Sequence, residues 1–360
     1  MMDMQDPDFE LLQIPAAKLV FLRDALSDDP PDLLILTPME REIFAAQDAP
    51  LDLTPFVENS KALQPEDMMP NVWSAITSDQ SCDWIPPYFT LTGNMVSKEY
   101  IGELGKGNTS DILSFYENHT DEPLEQGVYF VSCYPLLTTR INELNDGAGD
   151  PSQEKQALVD LVSLMVNFQQ QSASQNGGSS ISVATVVKYL SSLQHYVDQL
   201  RSQPGPQVFR GEFGQLDEGL GIVAEGGISI SAGTDNVDLA WSAIEVLLSE
   251  DVLDLYDYGI PLRQASYETM LLRDITFVQR NDAVPGVTVS YNDGVEVPTY
   301  DKPLAATIIA QYRQDVFAAE SWIIFDEDLY VLILEEISPC LAGDISAEDC
   351  ADRLIERVGL

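Results

Sequence analysis

The residue types that could do covalent or phosphate chemistry are few and poorly spaced. Gly219-Leu220-Gly221 with Ala224 matches G-x-G-x-x-A. That pattern binds a dinucleotide only where the turn joins a strand to a helix. Here a polar stretch precedes it and Glu225-Gly226-Gly227 follows, which predicts a plain glycine-rich turn. The chain has no phosphate-cradling G-x-x-x-x-G-K loop and no G-x-S-x-G elbow, and His119 and His195 are isolated, which argues against a Ser/His arrangement. Cys82, Cys133, Cys340 and Cys350 lie outside any C-x-x-C, so a zinc site is not expected. Tyr291-Asn292-Asp293-Gly294 lacks the alternating ligands of a calcium loop and reads as a turn. With 59 Asp and Glu residues, a glycosidase-like carboxylate pair stays open as an alternative. The expectation is therefore no catalytic residue, no metal and no cofactor.

The elements that must position any site come from a chain of 360 residues, long enough for about two domains. Hydrophobic residues make up 45%, enough for ordinary cores. Fifty-nine acidic against 18 basic side chains give a net charge of −41. A field of that sign repels nucleic-acid backbones and anionic lipid. The acids are dispersed among hydrophobic residues, which predicts a folded, strongly hydrated surface rather than disorder. Adaptation to high salt and a general acidic bias both fit it. No apolar run approaches the ~20 residues of a membrane span. Residues 1–10 are acidic and lack the basic and apolar regions of a signal peptide.

Along the chain, Leu19, Leu22 and Leu26 have helical spacing, and Pro30-Pro31 stops the run. Leu33-Leu34-Ile35-Leu36 reads as a short, fully buried strand of the parallel-sheet kind. Thr37-Pro38-Met39-Glu40 at its carboxyl end is a candidate ligand loop. Residues 83–92 are rich in aromatics and proline, and residues 102–108 form a flexible break. Thr109 is expected to cap a helix whose apolar face is Ile112, Leu113 and Tyr116. Residues 128–131 read as a strand, 158–168 as an apolar helix, 169–180 as a polar surface loop and 183–200 as an amphipathic helix. Residues 227–231 read as a strand. Asn236 is expected to cap a helix with Ala240, Ile244, Leu247 and Leu248 on one face and Trp241 in the core. The chain closes with two helices, one bearing Leu329, Leu332, Ile333 and Ile337. The second is opened by the S-x-x-D box Ser346 to Asp349 and bears Ala351, Leu354, Ile355 and Val358.

Several stretches together resemble the extracellular solute-binding proteins of ABC importers, in particular the sugar-binding, maltose-binding-protein-like family. Asp29-Pro30-Pro31-Asp32-Leu33-Leu34-Ile35-Leu36 is similar to the family's G-x-x-P-D-hydrophobic segment, with Asp29 where glycine is usual. Leu51-Asp52-Leu53-Thr54-Pro55-Phe56 resembles L-D-L-T-P-hydrophobic. The most specific match is an ordered series. Phe209-Arg210-Gly211-Glu212-Phe213 leads to the strand Ile228 to Ser231, then to the N-x-x-x-A-W helix Asn236 to Trp241, then to Gly259-Ile260-Pro261-Leu262-Arg263. Residues 341–348 with Glu356-Arg357-Val358 also fit. The resemblance covers most of residues 16–360, weakly over 140–200. The family's signal peptide, often with a lipid-bearing cysteine, and its first strand and helix have no counterpart before Ala16.

The resemblance implies an α/β, two-lobed periplasmic-binding-protein-like fold with a hinge and an interlobe cleft. Lobe one is expected at 1–96 and 222–300, lobe two at 97–221 and 301–360. It implies an extracellular, cell-surface or periplasmic monomer that binds a small neutral solute, a carbohydrate foremost, and docks on ABC permease subunits. Sugar faces are apolar, so aromatic rings and a few polar groups would hold the ligand. By matched position these are Thr37, Glu40, Trp84, Tyr88, Phe89, Tyr134, Phe213 and Asp217. Tyr88 and Phe89 fit a core role equally well. A peptide receptor, or a surface interaction protein that has lost its ligand, are alternatives on the same fold. Cys340 and Cys350 flank a short interhelical connection and could pair, with free thiols as the other outcome.

Overall fold

The structure is a computed structural model. It describes residues 21–358 apart from 22, 28–29, 78–80, 120–123, 126–129, 146–150, 175–180, 183, 203–206, 256–258, 283–301 and 325–326. The chain divides into two compact units. Unit one comprises residues up to Phe89 with Ala224–Met270, and unit two comprises Thr90–Val223 with Leu271–Leu360. The expected lobe joins stood at 96/97, 221/222 and 300/301. Among the described residues no helix is long and apolar enough to cross a membrane.

In unit one, strand Leu33–Leu36 pairs antiparallel with Gly227–Ile230 in a two-stranded sheet, Leu33 opposite Ile230 and Leu36 opposite Gly227. The sequence reading of a fully buried, parallel-type strand is corrected on both counts. Leu34 and Leu36 are buried while Ile35 is 73% exposed, the alternation of a strand with one covered face. Helices Pro38–Ala45, Thr54–Asn59, Pro70–Ile76 and Val237–Leu247 bury Phe44, Val57, Val72, Ile76 and Ile244. Tyr88 and Phe89, the first residues of strand Tyr88–Ser97, pair with Ile260–Pro261.

The segments of family resemblance turn out to be local fasteners of this unit. Asp32 accepts from the Thr234 hydroxyl and from the Asn236 amide at 3.2 Å, tying the P-D strand to the start of helix Val237–Leu247. Those bonds, Thr234 first, hold its carboxyl below the usual range. Asn236 sits at the expected cap position, but its side chain makes no capping bond, because it is committed to Asp32. Leu247 proves exposed, whereas Leu248 and Trp241 are buried with Ala240 and Ile244. In L-D-L-T-P, Asp52 Oδ1 accepts from the Thr54 and Cys82 amides at 3.0 and 3.2 Å. Burial alone would raise that carboxyl, but the bonds outweigh it and hold it low. In G-I-P-L-R, the Leu262 amide donates to Pro87 and its carbonyl accepts from Met69. Arg263 lies 3.4 Å from both Asp67 and Glu250.

In unit two, strand Tyr88–Ser97 is flanked antiparallel by Ala184–Leu190, Gln207–Arg210 and Gly221–Val223. Gly93 marks a register shift, and a Cβ there would lie 2.2 Å from the Arg210 carbonyl, so only glycine fits. Residues 183–200, read as one helix, are corrected to strand Ala184–Leu190 followed by helix Leu193–Ser202. The β-branched run Thr185-Val186-Val187 favours the ladder it joins. Helix Phe130–Asn145 replaces the expected strand from Phe130 onward. Its buried Leu137 and Ile141 repeat with helical spacing. Val128 and Tyr129 lie outside the described residues. Helix Pro151–Ser174 runs beyond Phe168, so residues 169–174 of the expected loop are helical. The helix at 109 is capped by Asn108, whose Oδ1 accepts from the Asp111 amide at 2.9 Å, not by Thr109. Its buried residues are Ile112 and Phe115, and the Leu113 and Tyr116 side chains lie outside the described residues. Helices Gln264–Asp282 and Lys302–Ala318 went unread in the sequence. One core joins Phe115, Leu137, Leu158, Leu161, Val162, Ile333, Ile337 and Leu354.

Candidate functional site

Five of the eight residues expected to hold ligand lie in unit one. Thr37 and Glu40 form a reciprocal cap on helix Pro38–Ala45. The Glu40 carboxylate accepts from the Thr37 amide at 2.8 Å, and the Thr37 hydroxyl accepts from the Glu40 amide at 3.3 Å. Thr37 is exposed and Glu40 half-buried, so both present polar atoms to solvent from a fixed helix end. Trp84 is buried, stands over Gly227, and donates its indole N–H to the Leu36 carbonyl at 2.9 Å. Phe89 is buried as well. Tyr88 is half-buried and its hydroxyl donates to the Leu253 carbonyl at 2.9 Å.

The other three lie in unit two. Tyr134 is buried on helix Phe130–Asn145, its ring edge-on to Tyr330 at 5.2 Å. Phe213 is buried in the glycine-rich turn, where Gly107 leaves room for it. Asp217 is exposed and pairs with Lys106 at 3.3 Å. Thus the buried rings are packed within their units, while Tyr88, Thr37, Glu40 and Asp217 retain surface.

Three features were not anticipated. Arg41, next to Glu40, donates to Asp83 at 2.7 Å and places its guanidinium 5.9 Å from the Trp84 ring centre, a cation–π distance. The partners are 42 residues apart, and no local spacing rule links them. Tyr189 has φ +59° and is 47% exposed, a conformation that costs a bulky residue energy. Nothing in the sequence around it signals a positive φ. Ser191 Oγ lies 2.8 Å from His195 Nδ1, a local contact that the sequence spacing did not single out. They are one turn apart at the start of helix Leu193–Ser202, and the Ser192 hydroxyl accepts from the His195 amide. Among the described residues His195 bonds no carboxylate, so this local contact lacks the orienting acid of a catalytic triad.

Among the described residues no cluster of His, Cys, Asp and Glu could hold a metal ion. Asp315 is a carboxyl raised above its usual range, by burial, and it accepts from Tyr196 at 2.6 Å and Gln311 at 2.8 Å. Its donors are neutral side chains, an arrangement that holds neighbouring elements together rather than one that shares a proton between acids.

No protein-family profile matches the chain, and no curated protein matches it. Solved structures do. A protein of Synechococcus sp. MITs9220, named for oligosaccharide periplasmic binding, aligns over 95% of this chain and 88% of its own at 11% identity, TM-score 0.50. The sugar-binding protein MalE of Xanthomonas citri aligns over 96% and 87% at 14% identity, TM-score 0.49. A family 1 extracellular solute-binding protein of Bifidobacterium longum subsp. infantis aligns over 96% and 89% at 13% identity, TM-score 0.48. At such identities the likeness speaks for the fold alone, and the first of the three carries it. The chain has the mixed α/β fold of the periplasmic-binding proteins.

Proposed function

We propose that the protein is a solute-binding receptor that captures a small neutral solute of the carbohydrate class and delivers it to an ABC importer outside the cytoplasm. The observation that carries this reading is the fold, matched over 95% of the chain by a protein named for oligosaccharide binding. The ordered P-D, L-D-L-T-P, N-x-x-x-A-W and G-I-P-L-R segments support it. Fold does not fix ligand, so the solute class needs a second argument, and charge supplies it. A net charge of −41 disfavours anionic ligands. The cations beside the candidate residues, Arg41 and Lys106, already pair with Asp83 and Asp217. A neutral polyol needs no free cation, only ring faces and hydrogen-bonding groups. Tyr88 is the ring that would stack, and Thr37, Glu40 and Asp217 the groups that would bond hydroxyls.

The test is an array of immobilised neutral oligosaccharides, uronate-containing oligosaccharides and peptides, probed with the labelled protein at low and high salt. Retention on a neutral oligosaccharide at both salt concentrations is expected. Retention on uronates or peptides alone would replace the carbohydrate reading with another ligand class on the same fold.

A further inference from the structure

Outside the candidate ligand residues, the C-terminal helix hairpin of unit two brings two thiols together. Helix Glu327–Ala342 ends in a tight turn in which the Gly343 amide donates to Cys340 and the Asp344 amide to Pro339. Gly343 takes φ +83°, and Ser346 with Asp349 opens helix Ala347–Val358. The turn therefore fixes the second helix against the first. Cys340 and Cys350 are both buried and belong to the same core as Ile333, Ile337 and Leu354. The Cys350 thiol lies 3.3 Å from the Glu336 carbonyl, one turn before Cys340. In this structure both are free.

We propose that Cys340 and Cys350 form an oxidisable pair, which a small-molecule disulfide converts into a covalent staple across the hairpin. The reaction is two successive exchanges. One protein thiolate attacks the small disulfide, forming a mixed disulfide and releasing one small thiolate. The second protein thiolate attacks the protein sulfur of that mixed disulfide, forming Cys340–Cys350 and releasing the other. The protein loses two electrons and two protons, and the small disulfide becomes two thiols. The Cys350 sulfur already lies against the helical turn that ends in Cys340, so the cross-link needs little movement of either helix.

Burial also sets the rate. It pushes the Cys350 thiol up to about 12 and raises Cys340 too, so few thiolates exist at neutral pH. Attack awaits local opening of the terminal helix, and once made the bond is shielded from reductant. The pair thus keeps a record of the oxidant the folding chain has met. Cys82, also buried and free, belongs to unit one, where its thiol faces the Trp84 carbonyl.

The full chain, purified under reductant, is incubated with oxidised glutathione in native buffer and in mild urea, then alkylated, digested and mapped by mass spectrometry. The expected result is a linked peptide joining Cys340 to Cys350, two of the four cysteines lost to alkylation, and faster formation in urea. The melting temperature of the oxidised protein should rise by about 5 °C over the reduced protein. The rise should vanish when the bond is reduced in denaturant and the protein refolded, and be absent from Cys350→Ala. The wild-type comparison with and without reductant stands even if that variant folds poorly. Four alkylated cysteines after oxidation, a link to Cys82 or Cys133 instead, or a cross-link that lowers the melting temperature would each overturn the proposal.

Discussion

Tyr88 concentrates the functional question in one side chain. Its hydroxyl donates to the Leu253 carbonyl, at the end of the short helix Glu250–Leu253, while its ring is half-buried. Tyr88→Phe keeps the ring and loses the bond, so denaturant unfolding should report a loss of about 1 kcal/mol with ligand affinity within about threefold. Tyr88→Ala removes the stacking face as well and should weaken binding roughly 5- to 150-fold, the equivalent of about 1–3 kcal/mol. Equal affinity losses in both variants would assign Tyr88 to structure alone. Asp315 makes a pH prediction. Burial raises its carboxyl, so the folded state favours the protonated form. Its stabilising share is complete below the unfolded carboxylate range and is lost as pH rises through the raised folded value. Asp315→Asn should therefore unfold with a shallower decline than wild type when melting is followed from pH 4 to about 7. An identical slope in both proteins would contradict it. At this scale the sequence was a partial guide. Aromatic type picked out Trp84 and Phe89, but the space over Gly227 that makes Trp84 a core residue depends on two distant segments. Tyr189 is invisible for a different reason, since its φ of +59° runs against what its residue type favours.

Helix starts are legible where the cap is chemistry between residues three apart and no distant partner competes. The S-x-x-D box forms as expected, with Ser346 Oγ accepting from the Asp349 amide at 3.0 Å and the carboxylate returning to Ser346. The helix it opens buries Cys350, Ala351 and Leu354. Ser346→Ala should cost about 1 kcal/mol in chemical denaturation, and Ser346→Asp should recover most of it. An unchanged midpoint for Ser346→Ala would show that packing alone fixes this helix start. Residues 33–36 and 227–231 are legible as strands, but not their antiparallel pairing with each other. Residues 184–190 are too short for periodicity to separate strand from helix, and their identity is decided by the partner Tyr88–Ser97. The same dependence explains the Asn236 cap. Its residue type predicted a bond to its own helix, and Asp32, 204 residues away, takes the amide instead.

Across the whole molecule, the order of short motifs was more informative than any element taken alone. P-D, L-D-L-T-P and G-I-P-L-R each prove to be a hydrogen-bonded junction within unit one. The resemblance is weakest over residues 140–200, where helix Pro151–Ser174 and strand Ala184–Leu190 lie. Net charge acts on the molecule as a unit. Forty-one uncompensated negative charges repel one another in the compact state, and salt screens them within a Debye length of about 3 Å at 1 M. The melting temperature should climb between low salt and roughly molar NaCl, and a flat or falling curve would contradict self-repulsion as a limit on stability. A receptor for a neutral solute should show ligand-dependent melting, since a ligand that binds only the native state raises the transition. Neutral mono- and oligosaccharides, uronates, amino acids and short peptides are each added in excess to the same protein. A concentration-dependent rise is expected with at least one neutral saccharide and none with the uronates. No response to any saccharide, beside a clear rise with an amino acid, peptide or anionic sugar, would contradict it.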